Sequence, residues 1–387
     1  MHFKHLSLLA LAGYALAQDS STPQSLNATL SGNDQLSNLT SFLALQPQLL
    51  DTLSNAQNIT ILAPSNNAFS AFLNSSAGSQ LADDPGLVAA LLSYHVLNGT
   101  YTSSMISNTS TFVPTLLTNE SYANVTGGQV VEAIMIGNET VFYSGLLQNA
   151  TVSQADQNFT GGVLHIIDSV LTLPTDILST ASAANLTALR GAINATNLID
   201  TVNYTPDVTI FAPTNEAFQS IGSALENLSE SDLANVLAYH VVNGTVGYST
   251  DLVNGTSLQT ANGANLTVTV ENGTVFVNAA RVVTPNVLVA NGVVHVIDNV
   301  LNPSNTSLAA PDATTGAPGF TASPGTEVPF TSGQPTPTTQ INPTSEGPGP
   351  AETAASSSST GAAAAPMRTG AVGVGALLGA GAAVWFL

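Results

Sequence analysis

The feature that most restricts how this chain can fold is an internal repeat of three blocks in the same order. The stretch from Thr60 to Phe69 (TILAPSNNAF) matches Thr209 to Phe218 (TIFAPTNEAF). Leu92 to Thr100 (LSYHVLNGT) matches Leu237 to Thr245 (LAYHVVNGT), and Gly162 to Leu171 (GVLHIIDSVL) matches Gly292 to Leu301 (GVVHVIDNVL). Three ordered matches define two copies of one domain. A chain of 387 residues with 44% hydrophobic content has room for a separate core in each.

Each block has a physical reading. In the first, a short apolar strand (Ile59 to Leu62, Val208 to Phe211) runs into Pro64 or Pro213, which cannot donate to a ladder and ends it. Ser65 or Thr214 then caps a helix that buries Phe69 or Phe218. In the third block, branched residues on both sides of the histidine predict a strand buried on both faces. A hairpin is predicted from Leu266 to Val270 and Thr274 to Asn278 around Glu271-Asn272-Gly273. Helical segments, Pro85 to Tyr94 and Glu230 to Tyr239, precede the strand-rich half of each copy, so the predicted fold class is α+β.

The charge pattern then raises a question of solubility. Only 7% of residues are charged and the formal net charge is −20, where an ordinary soluble protein carries about a quarter charged residues. The ends reduce this further. Met1 to His5 is a short basic start, Leu6 to Leu16 an apolar run too short to span a bilayer, and Ala15-Leu16-Ala17 a signal-peptidase pattern, so residues 1–17 are predicted to be a signal peptide. At the other end Gly370 to Leu387 is an uncharged apolar tail, preceded by a spacer from Ala362 to Arg368 and small residues from Ser356 to Gly361. That order predicts exchange of the tail (361–387) for a glycosylphosphatidylinositol (GPI) lipid at Ser359; the alternative is a tail-anchored helix. Both cuts together remove Lys4 and Arg368 and leave Arg190 and Arg281 as the basic side chains. Two isolated arginines cannot neutralise a run of phosphates, which excludes nucleic acid and polybasic lipid contacts. With no cysteine, thiolate metal sites and thiol chemistry are excluded too, and the cores must hold without disulfides.

Sugar is the predicted source of the missing hydrophilicity. Asn-x-Ser/Thr sequons stand at Asn27, Asn38, Asn58, Asn74, Asn98, Asn108, Asn119, Asn124, Asn138, Asn149, Asn158, Asn185, Asn194, Asn203, Asn227, Asn243, Asn254, Asn265, Asn272 and Asn305. Such a density behind a signal peptide reads as a glycoprotein, with sequons inside strands or core helices left unmodified. Past Pro303 the composition turns to Pro, Thr, Ser, Gly and Ala, and residues 304–360 are predicted to be an extended, disordered, O-glycosylated stalk.

The three blocks resemble the two boxes and the Tyr-His motif of the fasciclin-like domain family, over 20–173 in the first copy and 175–303 in the second. The resemblance implies a wedge-shaped β-sandwich flanked by helices, and a secreted or GPI-linked protein acting in adhesion or in wall and matrix organisation. The implied partners are other surface proteins or matrix and wall glycans, with membrane contact through the lipid. Tyr94-His95 and Tyr239-His240 match the motif that the family ties to fold integrity and adhesion. Some animal members carry an Asp-Ile pair before the last box that is linked to integrin binding. The aligned positions here are Asp156-Gln157 and Asn286-Val287, so that recognition is not carried over. The layout suggests a microbial eukaryote such as a fungus. A passive surface coat without a specific partner is the alternative function. The outer face of the plasma membrane, the wall and the vacuole are all open as destinations.

No catalytic, cofactor or metal role is expected of the remaining titratable groups. His95, His165, His240 and His295 all lie inside the repeat, which suggests one structural task done twice. His95 and His240 follow a tyrosine at a helix end, where a ring bonded to loop backbone would fix the exit. His165 with Asp168, and His295 with Asp298, are three apart on a predicted strand and so point to opposite faces. Asp83-Asp84 before Pro85 reads as a helix start and lacks the spaced oxygens of a calcium loop. Neither Gly127-Gly128 nor Gly161-Gly162 has the context of a phosphate loop.

Overall fold

The computed structural model describes residues 23–81 and 84–337. The predicted signal peptide, Asp83, Ser359 and the tail 361–387 lie outside the described residues.

In the first domain the chain runs through α1 (Leu26–Ser31), α2 (Ser37–Ala44), α3 (Pro47–Asn55), β1 (Ile59–Pro64), α4 (Asn66–Leu73), α5 (Ser76–Gln80) and α6 (Pro85–Tyr94). The strand-rich half follows as β2 (Val96–Asn98), β3 (Thr111–Pro114), β4 (Val130–Ile136), β5 (Glu139–Tyr143), β6 (Asn149–Phe159) and β7 (Gly162–Ile167). The second domain repeats the order with α7 (Ile177–Ala183), α8 (Thr187–Ala195), α9 (Ile199–Tyr204), β8 (Val208–Pro213), α10 (Asn215–Ser220), α11 (Gly222–Leu225) and α12 (Glu230–Tyr239). It closes with β9 (Val241–Val242), β10 (Ser257–Gln259), β11 (Asn265–Glu271), β12 (Thr274–Val277), β13 (Ala280–Val289) and β14 (Gly292–Ile297). The predicted caps are present: Ser65 Oγ accepts from Ala68 N, Thr214 Oγ1 from Ala217 N, and the Asp84 carboxylate from Gly86 N and Leu87 N.

Each domain builds a seven-stranded sheet, in the order β2-β1-β7-β6-β5-β4-β3 and its counterpart β9-β8-β14-β13-β12-β11-β10. The two ends of each sheet almost meet. Leu97 bridges Thr115 and Leu116 N donates to Val96 O at 2.8 Å; Val242 bridges Thr260 and Ala261 N donates to Val241 O at 2.7 Å. Near-closure leaves little open edge and folds the sheet into a sandwich with helices flanking it. Each sheet contains one parallel pair, β1 with β7 and β8 with β14, and all six residues of β1, β8 and β14 are buried. The invariant start of the third block follows from this pairing. Gly162 and Gly292 hold φ of +156° and +159°, and a Cβ on either would stand 1.9 Å from the carbonyl oxygen of Ile59 or Val208 on the neighbouring strand.

The chain does not leave the second domain at residue 304, where the stalk is expected to begin. From there to Pro337 the chain packs on the second domain, and Phe320, Val328 and Phe330 lie against its core. A comparison of the two copies explains why. Asn66 Oδ1 accepts from Asn38 N at 2.9 Å and Asn215 Oδ1 from Ala188 N at 2.9 Å, which sets α2 and α8 in register. Phe42 on α2 covers Phe69 at a ring separation of 5.5 Å, but the matching residue on α8 is Ala192. The gap over Phe218 is filled by Phe330, edge-on at 6.3 Å. Gly191 and Gly222 clear the way: a Cβ there would meet Phe330 O at 1.9 Å or Gly325 N at 2.5 Å. Arg281 holds the same strap by donating to Thr314 O at 3.1 Å.

Phe330→Ala removes the half-buried ring that the second domain borrows, and by the scale of core truncations should cost roughly 2 kcal/mol. Gly191→Ala should dislodge the same segment. Both variants are expected to lower the thermal midpoint of the second domain and leave the first unmoved, read by hydrogen exchange of β8 and β14 against β1 and β7.

Candidate functional site

The polar residues of the three blocks bond to one another. Leu62 N, in the first block, donates to His95 O at 2.8 Å, and Phe211 N to His240 O at 2.9 Å. The His95 ring lies at the C-terminus of α6 with Nδ1 2.7 Å from Leu91 O, while Nε2 accepts from Leu171 N at 2.9 Å. His240 repeats this with Val236 O at 2.7 Å and Leu301 N at 2.9 Å. A carbonyl on Nδ1 and an amide donor on Nε2 assign the Nδ1–H tautomer to both. The ring thus ties the helix exit to the end of the third block.

His165 and His295 use the other tautomer. Their Nε2 donates to Tyr101 O and Gly247 O, each at 2.8 Å, and their Nδ1 accepts from Asp156 N at 3.2 Å and Asn286 N at 3.4 Å. Thr60 Oγ1 donates to Gly99 O and accepts from Tyr101 N, both at 2.8 Å; Thr209 does the same with Thr245 O at 2.8 Å and Gly247 N at 2.7 Å. A threonine and a histidine therefore pin the loop that leaves the second block. Tyr94 and Tyr239 are fully buried, their hydroxyls donating to Val130 O and Asn265 O at 2.9 Å.

The positions aligned with the Asp-Ile pair are also committed internally. Asp156 and Asn286 sit at bulges in β6 and β13 with φ of +58° and +62°. The Asp156 carboxylate accepts from Ser103 N at 2.9 Å and from its hydroxyl; burial alone would raise its pKa, but those bonds hold it below the ordinary range. Asn286, 2% exposed, bonds Ser249 and crosses to the first domain, its Nδ2 donating to Glu132 at 3.3 Å. Asp168 accepts from Thr151 N at 2.8 Å, and Asp298 from Arg281 N at 2.8 Å, so neither converges with its histidine. Among the described residues, no group of three or more His, Asp or Glu side chains has the geometry to hold a metal ion.

No motif or periodicity announces the contact between the domains. Gln129, fully buried, donates to Val289 O at 2.9 Å; Thr126 donates twice to Asp207, at 2.7 and 2.6 Å; and Phe112 stacks on Tyr248 at 4.1 Å. Glu132, 1% exposed, stands in this contact, and its burial raises the carboxyl from 4.5 to about 7 against the lowering effect of the Asn286 amide. A lone buried carboxyl in an apolar strand is invisible to a pattern search, because its setting comes from the other domain.

The fold and its braces define a tandem pair of near-closed sandwich domains. The chain belongs to the fasciclin domain family: the model of that domain matches residues 34–174 and 184–303. A fasciclin-like arabinogalactan protein of Arthroderma benhamiae is 37% identical over 322 residues, 82% of this chain and 76% of that protein. Another, from Phaeosphaeria nodorum, is 33% identical over 279 residues, 72% of this chain and 88% of its own length. A solved fasciclin domain pair from the insect cell adhesion molecule fasciclin I aligns with a TM-score of 0.34 and 24% identity, covering 68% of this chain and 96% of that one.

Two pH effects of opposite sign follow. Burial lowers His95, His240 and His295 from 6.5 to about 4, against the raising effect of their carbonyl partners. Between those values the unfolded chain binds more protons than the folded one, so stability should fall as pH drops from 6.5 to 4, by on the order of 3 kcal/mol per ring. The two rings of the second domain together match the lower end of a typical domain's stability, about 5–15 kcal/mol, and cooperative acid unfolding of that domain in that window is the expected result in a circular-dichroism titration. Glu132 acts the other way, because the folded state binds its proton more tightly between pH 4.5 and 7. Glu132→Gln should therefore stabilise the protein at pH 8, by up to about 3 kcal/mol, and have little effect near pH 4.5, read from denaturant midpoints.

Proposed function

We propose that this chain is an N-glycosylated surface protein of the cell wall or extracellular matrix, held to the outer face of the membrane by a GPI lipid at or near Ser359, and acting in adhesion or wall organisation. The observation that carries the reading is the distribution of sequons on the folded chain. Sixteen of the twenty sequon asparagines are exposed, and the other four, Asn124, Asn194, Asn203 and Asn305, are half-buried. Several lie within helices or strands, Asn27, Asn38, Asn149 and Asn265 among them, yet none of the twenty is buried, as asparagines used for sugar must not be. The fungal relatives named as arabinogalactan proteins support the same reading. Among the described residues no helix is long and apolar enough to cross a membrane.

Adhesion would come from many weak contacts with other surface proteins or with matrix and wall glycans, gaining strength from dense display. A passive hydrated coat is the second reading, favoured by one observation: the Tyr-His motifs and the Asp156 and Asn286 positions are all spent on internal bonds, leaving no motif side chain free for a partner.

The test is treatment of intact cells with phosphatidylinositol-specific phospholipase C, then intact mass with and without endoglycosidase. Release of a species ending near Ser359 that loses a large mass of sugar is expected. A cell-bound protein that retains Leu387 overturns the lipid anchor. The released ectodomain on beads is expected to bind cells or wall glycans; failure to bind at high density would leave the coat reading.

A further inference from the structure

The exposed apolar side chains are not scattered at random with respect to the sequons. Among the described residues seven large hydrophobic side chains are between 45% and 72% exposed. Leu73 adjoins Asn74, Val253 adjoins Asn254 and Tyr204 adjoins Asn203; Ile136 is two residues from Asn138; Met105 and Leu308 are three residues from Asn108 and Asn305. The seventh, Leu45, lies seven residues beyond Asn38, two turns along the line of α2. Windows of three residues on either side of the sequon asparagines cover less than half of the described chain, yet they take in six of the seven.

We propose that N-glycans at Asn74, Asn108, Asn138 and Asn254 are structural covers, the first sugar on each lying over the neighbouring apolar side chain and supplying burial that the fold does not. This rests on the reading of the chain as a secreted glycoprotein. The bond is made when asparagine Nδ2 takes the anomeric carbon of a lipid-linked pyrophosphate oligosaccharide; Nδ2 loses one proton and the lipid pyrophosphate leaves. A pyranose presents a face of C–H groups, which can cover Leu, Ile, Val or Met while its hydroxyls face water, removing apolar surface that would otherwise drive association. All four asparagines are exposed. The geometry at Asn74 supports a short reach: its Nδ2 donates to Ser70 O at 2.8 Å, and the N–H that survives glycosylation can keep that bond, holding the first sugar at the end of α4 that carries Leu73. At Asn254, Val270 N donates to Oδ1 at 3.1 Å, fixing the amide beside Val253 and leaving Nδ2 without a protein partner to displace. Asn138 and Ile136 share the tight turn between β4 and β5, where Gly137 has φ of +62°.

The experiment uses the full chain secreted from a eukaryotic host, with glycopeptide mass spectrometry and binding of the dye bis-ANS. N74Q/N138Q/N254Q is expected to bind several-fold more dye than N119Q/N185Q/N243Q, which loses as many sequons from exposed loop sites that have no large exposed hydrophobic neighbour. Adding L73S/I136S/V253S to the first variant should abolish the excess. Equal dye binding by the two triple variants overturns the proposal while leaving the glycoprotein reading intact. Unmodified Asn74, Asn138 and Asn254 in a chain glycosylated elsewhere overturn it too, whereas a chain with no glycan at all overturns the underlying reading. Should the variants fail to fold, the wild-type protein decides: trimming to one sugar per site is expected to leave dye binding unchanged, and complete removal by an amidase to raise it. A rise on trimming alone contradicts a cover made by the first sugar.

Discussion

The structure depends on a set of imidazole rings with no nitrogen to spare. His95 and His240 fasten the end of a helix to the close of the third block, and His165 and His295 fasten the third block to the loop that leaves the second. Buried donors and acceptors are tolerable only when paired, and a neutral imidazole offers one of each on opposite sides of a rigid ring. That makes it a strut between two backbone segments. The threonine hydroxyls of β1 and β8 act likewise on the same loops. A chain without cysteine gains from these struts the cross-connection that a disulfide gives many small domains.

This explains why the three blocks could be found in the sequence and why other parts could not. The blocks contact each other, so a change in one is felt in the others, and both copies keep the same residues. Strand ends at Pro64 and Pro213, caps at Ser65 and Thr214, and the turn at Asn272 and Gly273 are local, and local chemistry specifies them. The strap was illegible for the opposite reason. Residues 304–337 have the composition of a stalk and are without helix or strand, but Phe330 fills the gap that Ala192 leaves over Phe218, and Gly191 and Gly222 give its segment room, all more than a hundred residues earlier. The contact between the domains, with Gln129, Glu132 and Asn286, likewise joins residues whose meaning exists only after both domains have formed.

The same economy bears on function. Side chains that looked like candidates for chemistry or recognition are consumed in holding the fold, so what a partner would meet is a surface of small polar residues, exposed asparagines and a few apolar side chains. Such a surface suits weak, repeated contacts or hydration better than a single tight site. Few exposed charges remain to keep it wet, which is where sugar enters the account.

That the four histidines are struts with both ring nitrogens committed to the backbone is tested most directly by long-range proton–nitrogen NMR of imidazole-labelled protein at neutral pH. The expected spectrum shows Nδ1–H for His95 and His240 and Nε2–H for His165 and His295, each proton slow to exchange. Rings that instead average between tautomers, or exchange freely with water, would contradict it.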